Sequence, residues 1–223
     1  MSDEEENKVV LIGESGVGKT CIINQFINGK FEENLLSTLS AQFCRKNFEF
    51  PGDKRISLDI WDTAGQEKYR SLNRIFYKNA KAVVLVYDIT DIKSFNEIKG
   101  YWYDQIIQNC DKHIIIVIAA NKCDLYEEKE VYDEEAEEFE KSKDAFFVFT
   151  SAKNDSGIAN LFENIAMKIL DPNFDFTNTE QNAKEKYQNR KDIKNGTNKN
   201  KKDNSRNAVK LDGNIHKKKK KCC

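Results

Sequence analysis

An eight-residue loop near the start of the chain has the composition of a phosphate-binding site. Gly13-Glu14-Ser15-Gly16-Val17-Gly18-Lys19-Thr20 follows an apolar run and precedes a helical pattern. Glycines let such a backbone wrap around an anion, so that its N–H groups and the helix N-terminus point at phosphate oxygens. Lys19 would then reach the β- and γ-phosphates of a nucleotide, and the Thr20 hydroxyl would bind Mg²⁺. The alternative interpretation is a chance glycine turn between a strand and a helix.

A second polar segment, Asp62-Thr63-Ala64-Gly65-Gln66-Glu67, ends another apolar run. Asp62 could hold Mg²⁺ through its water shell, and Gly65 would let a backbone N–H approach the γ-phosphate. Gln66 could orient a water molecule with its carbonyl without becoming a charged base. Read alone, the segment is equally consistent with an ordinary turn, where Asp and Gly are common.

Two later loops have side chains that could select a base. In Asn121-Lys122-Cys123-Asp124 the carboxylate of Asp124 could accept hydrogen bonds from the N1–H and the N2 amine of guanine, and the stem of Lys122 could lie along the base plane. In Ser151-Ala152-Lys153 the Ala152 N–H could donate to guanine O6, although a plain strand-to-helix loop explains this tripeptide as well. Adenine offers no donors to Asp124, and a buried carboxylate left unpaired is costly, so such a site would reject ATP.

The elements that must position these loops alternate between short apolar runs and amphipathic stretches. The predicted strands of a buried parallel sheet are Val9–Ile12, Ile56–Trp61, Ala82–Tyr87, Ile114–Ala120 and Ala145–Phe149. A more polar strand, Ala41–Phe50, precedes the turn Pro51-Gly52-Asp53 and predicts an antiparallel edge hairpin. The predicted helices are Lys19–Asn28, Ser94–Cys110 (with Phe95, Ile98, Trp102, Ile106 and Ile107 on one face), Asp133–Ser142 and Ile158–Leu170. The pattern predicts an α/β fold, a doubly wound, six-stranded, mostly parallel sheet with one antiparallel edge strand and helices on both faces.

Composition excludes several classes and predicts three regions. No apolar run approaches the roughly 20 residues of a membrane helix, the acidic start is no signal peptide, and Ser2 excludes N-myristoylation. Cys21, Cys44, Cys110 and Cys123 lack zinc-site spacing and are interpreted as reduced, mostly packed thiols. Residues 1–170 contain 21 basic and 30 acidic residues, a net charge of −9, whereas residues 171–223 contain 15 and 7, a net charge of +8. We therefore predict an acidic extension over 1–7, a nucleotide-binding domain over 8–170, and a disordered basic tail over 171–223 that meets an anionic partner.

The order and setting of the four loops resemble the Ras-like small GTPases, and within them the Rab branch. The Rab-like segments are Trp61–Glu67 (WDTAGQE), Tyr69–Leu72 (YRSL), Tyr87–Thr90 (YDIT), Asn121–Leu125 (NKCDL) and the terminal Cys222-Cys223. The resemblance covers roughly residues 8–170 and implies a P-loop G domain that binds GTP or GDP with Mg²⁺. In Leu39-Ser40-Ala41-Gln42-Phe43, Ser40 stands where Rab proteins usually have glycine, which resembles endosomal-type branches more than secretory ones.

The resemblance also implies roles that spacing alone would not assign. Phe31 matches the aromatic residue that packs on guanine, and Thr38 matches the switch threonine that ligates Mg²⁺ when the γ-phosphate is present. Lys19 and Gln66 are the implied catalytic residues. The implied nucleotide contacts are Glu14, Ser15, Gly16, Val17, Gly18, Lys19, Thr20, Cys21, Phe31, Thr38, Gly65, Asn121, Lys122, Asp124, Leu125, Ser151, Ala152 and Lys153; the metal ligands are Thr20, Thr38 and Asp62; the effector-facing residues are Leu39, Phe43, Trp61, Tyr69, Leu72 and Phe76.

The implied function is a GTPase switch in vesicle traffic. Residues 31–37 contain no arginine that could act as a finger in cis, so we expect slow hydrolysis without an activating protein. Implied partners are an exchange factor, an activating protein, effectors, a GDP-dissociation inhibitor and a prenylation escort, with the chain itself a monomer that binds no nucleic acid. Lys217–Lys221 and the terminal cysteines predict prenyl anchoring to the anionic cytoplasmic face of an intracellular membrane, in exchange with the cytosol; a solubilising or nuclear-import stretch is the alternative for the lysines. A Ras- or Rho-type signalling GTPase and a GTP-binding scaffold without hydrolysis are the alternative functions.

Overall fold

The predicted α/β sheet is confirmed. The structure is a computed structural model that describes residues 6–33, 38, 41–63, 76–143 and 145–176. Among these residues six strands form one sheet in the order β2-β3-β1-β4-β5-β6. The strands are β1 Asn7–Ile12, β2 Gln42–Phe50, β3 Lys54–Asp62, β4 Ala82–Asp88, β5 Ile115–Asn121 and β6 Phe146–Phe149.

One strand pair of the sheet is antiparallel, and the other four pairs are parallel. The β2–β3 hairpin is antiparallel, with a register that runs from Gln42 opposite Asp62 to Phe50 opposite Lys54. The pairs β1–β3, β1–β4, β4–β5 and β5–β6 are parallel. Every residue of β4 is buried, as expected for a central strand covered on both faces. The carboxyl ends of the parallel strands therefore meet at one edge, where the four polar loops follow them.

Three predicted helices agree with the structure from end to end, and one does not. The helices are α1 Lys19–Asn28, α2 Ile92–Glu97, α3 Tyr103–Asn109, α4 Asp133–Ser142 and α5 Ile158–Leu170, with a 3₁₀ segment at Cys123–Glu128. The helix predicted over Ser94–Cys110 begins earlier, where Asp91 accepts a hydrogen bond from the Lys93 N–H as N-cap, and a π-helical turn at Ile98–Trp102 joins α2 to α3. The prediction that Ile107 faces inward was wrong, since its side chain is 55% exposed. Ile106 is fully buried, and the next residue is rotated from it by about 100°, which here directs the Ile107 side chain toward solvent.

The helices cover both faces of the sheet. On one face, Ile22 of α1 and Phe162 of α5 pack with Leu58 and Val84 in a continuous core. On the other face, Phe95 of α2 packs on Tyr87, with ring centroids 4.8 Å apart and ring planes inclined at 51°. No helix in the part of the chain described here combines the length and apolarity required to cross a bilayer.

The packed structure extends past the predicted boundary at residue 170. The chain turns after α5, where the Lys168 ammonium donates to the Phe174 carbonyl at 2.8 Å. Phe176 is fully buried and stacks on Phe146 of β6 with a centroid distance of 3.8 Å. The packed segment therefore reaches Phe176, past the boundary predicted at residue 170, while the division into domain and tail stays a prediction. The sequence did not indicate that residues 171–176 pack on the domain, because Phe174 and Phe176 are isolated among polar residues.

Candidate functional site: a cleft at the carboxyl edge of the sheet

Loops from β1, β3, β5 and β6 enclose a cleft of about 390 Å³. The lining residues are Ser15, Gly16, Gly18, Lys19, Thr20, Cys21, Phe31, Glu33, Thr38, Thr63, Asn121, Lys122, Asp124, Leu125, Ala152 and Lys153. Fourteen of these sixteen are residues that the sequence predicted as nucleotide contacts. The fold thus brings together segments that lie more than 100 residues apart in the chain.

The loop after β1 curls around the ammonium of Lys19. Its Nζ donates to the carbonyl oxygens of Gly13 and Glu14 at 2.9 and 2.8 Å, and the residue is only 5% exposed. Burial lowers the pKa of Lys19 to about 8, against the opposing effect of the negative charges of Asp62 and Glu14. An anion placed in the loop would favour the charged ammonium.

Asn121 ties the first loop to the third. Its Nδ2 donates to the Val17 carbonyl at 2.8 Å, and its Oδ1 accepts from the Thr150 hydroxyl at 3.2 Å. Asn121 and Thr150 are buried. The amide therefore fixes the loop after β1 against the loops that follow β5 and β6.

The opposite end of the cleft has a fixed carboxylate. Ser151 is fully buried, and its hydroxyl donates to Asp124 Oδ1 at 2.5 Å. Ala152 follows it in the chain, is 4% exposed and is one of the residues that line the cleft. Phe31, Lys122 and Leu125 supply apolar surface on the cleft wall. A flat heterocycle with two adjacent N–H donors suits such a site.

Three oxygen-bearing side chains converge beside Lys19, at the start of α1. The Thr20 hydroxyl donates to Asp62 Oδ2 at 2.6 Å and lies 2.7 Å from the Thr38 hydroxyl. The second carboxylate oxygen, Asp62 Oδ1, is buried and has no hydrogen-bond partner among the described residues. Burial raises the pKa of Asp62, and the hydrogen bond from Thr20 and the charge of Lys19 oppose this effect. Hard oxygen donors around an unsatisfied carboxylate fit a cation such as Mg²⁺.

The structure also separates some of the predicted contacts from the cleft. Glu14, Val17 and Ser151 are absent from its lining; the Glu14 carboxylate instead accepts from the Trp102 indole N–H at 3.0 Å. Two lining residues were missed by the sequence analysis. Thr63 could have been found, since it follows Asp62 directly and its hydroxyl anchors to the Leu11 carbonyl at 2.7 Å. Glu33 gave no sequence signal; it lies 3.6 Å from the Lys153 ammonium across the cleft.

Three of the predicted effector-facing residues, Phe43 of β2, Trp61 of β3 and Phe76, form one aromatic patch. The rings of Phe43 and Trp61 lie 5.3 Å apart, and those of Trp61 and Phe76 lie 6.0 Å apart. Phe43 is 52% exposed. Several other predicted residues lie outside the described residues, so their placement stays a prediction: Leu39, Gly65, Gln66, Tyr69, Leu72, Lys217–Lys221, Cys222 and Cys223.

Comparison with known proteins identifies the family. The Ras family model matches residues 8–171. Ras-related protein Rab-30 of Homo sapiens is 40% identical over 163 residues, which cover 73% of this chain and 79% of that protein. Rab-22A of Homo sapiens is 39% identical over 164 residues (74% and 84%), and RabJ of Dictyostelium discoideum is 38% identical over 170 residues (76% and 66%). The chain therefore belongs to the Ras family of small GTPases, with Rab proteins as its relatives.

Proposed function

We propose that this protein binds GTP and GDP with Mg²⁺, hydrolyses GTP slowly, and alternates between an effector-binding and a relaxed state to regulate vesicle traffic. Family membership supports a small GTPase role in trafficking. The observation that carries the finer proposal is that one cleft unites the loop around Lys19, an oxygen cluster and a fixed carboxylate. The loop suits the phosphates of a guanine nucleotide, the oxygen cluster suits its Mg²⁺ ion, and the carboxylate suits its base.

Guanine selection rests on Asp124. Ser151 holds one of its carboxylate oxygens at 2.5 Å, which leaves acceptor capacity for the N1–H and N2 amine of guanine. The Ala152 N–H would donate to O6. Adenine would leave the Asp124 carboxylate without these donors, and the resulting loss of hydrogen bonds to a charged group costs about 1.5–3 kcal/mol each.

The phosphates would lie in the loop around Lys19. The ammonium of Lys19 donates to the Gly13 and Glu14 carbonyls, which supports a position of Nζ inside the loop. When phosphate oxygens occupy that centre, they offer stronger, charge-assisted hydrogen bonds than the carbonyls do. The helix N-terminus at Lys19–Asn28 adds a favourable dipole.

Thr20, Thr38 and Asp62 are the residues that would hold Mg²⁺. The ion would neutralise charge on the β- and γ-phosphates when bound. Thr38 belongs to a segment distant in sequence from Thr20, and its hydroxyl already meets that of Thr20 in the structure. Loss of the γ-phosphate would remove the metal contact of Thr38, and the segment around Thr38 would relax.

The hydrolytic step is in-line attack of water on the γ-phosphorus, with Gln66 orienting the water. The chain offers no arginine in residues 31–37, so we expect slow turnover that an activating protein with an arginine finger accelerates by about 10³–10⁵-fold. The aromatic patch of Phe43, Trp61 and Phe76 would bind effectors in the GTP state. Two prenyl chains on Cys222 and Cys223, with the lysines before them, would anchor the protein to an endosomal-type membrane.

The testing experiment measures nucleotide retention and single-turnover hydrolysis by the purified full chain in magnesium buffer. The wild type should keep GDP or GTP and reject ATP, Asp124→Asn should lose guanine nucleotides, and Gln66→Leu should bind GTP but hydrolyse it more slowly. Failure of the wild type to retain a guanine nucleotide would refute the proposal. Retention without any hydrolysis would favour the scaffold alternative, and an unmodified C-terminus in mass spectra of the native protein would exclude the prenyl anchor.

A further inference from the structure

The segment Tyr87–Thr90, one of those that resemble Rab proteins, contains a carboxylate that is held in place at the end of β4. Asp88 Oδ1 accepts hydrogen bonds from the Thr90 N–H at 2.9 Å and from the Thr90 hydroxyl at 2.7 Å. The Asp88 side chain is only 9% exposed. Two donors on one oxygen hold the carboxylate in a single orientation.

The other oxygen of this carboxylate meets a residue of the candidate base site. Asp88 Oδ2 lies 2.5 Å from the ammonium of Lys122, whose side chain is 35% exposed. The two backbones are also joined, since Asp88 pairs with Asn121 in the β4–β5 register and the Ile89 N–H donates to the Asn121 carbonyl at 3.1 Å. The ion pair is therefore built on adjacent, hydrogen-bonded strands.

Lys122 is consequently fixed at both ends of its side chain. Its backbone is left-handed, with φ of +61°, directly after the end of β5. Its ammonium is held by Asp88, and the stem between them lines the cleft together with Phe31 and Leu125. A free lysine loses much rotamer freedom when it packs against a ligand, whereas this stem is already ordered.

We propose that Asp88 is a positioning residue for nucleotide retention: it holds the Lys122 stem in the plane-stacking position against guanine and thereby slows nucleotide release. This inference rests on the proposed guanine-nucleotide function. It assigns to Asp88 and Thr90 a role in the base site, although neither residue lines the cleft.

The experiment measures release of fluorescent mant-GDP from the full-length protein into excess GDP, with magnesium present. Asp88→Asn keeps the shape but removes the charge, and it should raise the release rate about fivefold to tenfold. Asp91→Asn is the matched control, because it removes the same charge three residues away and asparagine still caps a helix. Thr90→Val, which removes one of the two donors to Asp88, should have a smaller effect.

A double-mutant cycle separates positioning from fold stabilisation. Lys122→Met keeps an apolar stem without the ammonium, so Asp88→Asn should change the release rate little in that background. Equal acceleration by Asp88→Asn with and without the Lys122 ammonium would overturn the proposal, as would a release rate no different from that of Asp91→Asn.

Asp88→Glu, which retains the charge, should preserve most of the slow release. If Asp88→Asn does not fold, Thr90→Val supplies the cycle, because it loosens the Asp88 carboxylate without changing its charge. An acceleration by Thr90→Val that persists unchanged beside Lys122→Met would likewise overturn the inference. Wild-type protein that fails to hold mant-GDP would instead refute the proposed function itself.

Discussion

Replacement of Gly18 by alanine tests the contact between Asn121 and the loop that follows β1. Gly18 has φ of +96°, and a Cβ atom there would lie 2.4 Å from Asn121 Nδ2. The amide cannot simply rotate away, because it is buried and bonded at both ends, to Val17 and to Thr150. We therefore expect the alanine to break the Asn121–Val17 hydrogen bond.

Gly16 supplies a matched control in the same loop. It has φ of +80°, and nothing lies within 4 Å of a Cβ built on it. Both alanine variants incur the strain of a left-handed residue, about 1–2 kcal/mol. Only Gly18→Ala also loses a buried hydrogen bond, about 1–3 kcal/mol. The free energy of unfolding should thus fall by about 1–2 kcal/mol for Gly16→Ala and by about 2–5 kcal/mol for Gly18→Ala.

Denaturant unfolding of the nucleotide-free protein measures both values, and mant-GDP titration measures the corresponding loss of affinity. Asn121→Ala removes the amide that the new methyl group would meet. In the Asn121→Ala background, Gly18→Ala should lower the free energy of unfolding by no more than Gly16→Ala does. Equal destabilisation by the two glycine variants in otherwise wild-type protein would refute the reasoning, since it would mean that Asn121 can move aside without a loss of stability.

Three further outcomes are expected from the described contacts. Ser151→Ala removes the donor that fixes Asp124, so guanine-nucleotide affinity in a titration should fall about tenfold, and unchanged affinity would contradict the role given to Ser151. Phe176→Ala should lower the free energy of unfolding by about 3 kcal/mol, because Phe176 is fully buried on Phe146. Phe174→Ala should lower it clearly less, because Phe174 is only partly buried. Similar losses of stability in the two variants would contradict the conclusion that the packed segment reaches Phe176. Burial and the neighbouring Asp111 raise the pKa of Cys110 to about 11, so at pH 9 it should carry roughly fiftyfold less thiolate than an ordinary cysteine and react correspondingly slowly with iodoacetamide, which peptide mass mapping over pH 8–11 would measure. The folded thiol keeps its proton between about pH 9 and 11 while the unfolded thiol loses it, so this group should also lower the free energy of unfolding as pH rises through that window.

The residue pattern by itself determined the elements and the places of the chemical groups. Short Val- and Ile-rich runs predicted the inner strands, and periodic apolar residues predicted α1, α4 and α5 from first to last residue. These features are local: strand and helix formation depends on neighbouring residues, and glycine or aspartate directly after a strand marks its loop. The assignment of phosphate and base ends followed from the same local motifs.

Only the tertiary structure decided which of these groups contact one another. Asn121 with Val17, Asp124 with Ser151 and Asp88 with Lys122 are partners because the strand order places their loops at one edge in a fixed register. The burial of Phe176 likewise depends on where the chain returns to β6 after α5. Such contacts join residues far apart in sequence, and their geometry depends on the packing of the whole sheet; a local pattern therefore specifies the donors and acceptors but cannot specify how they pair.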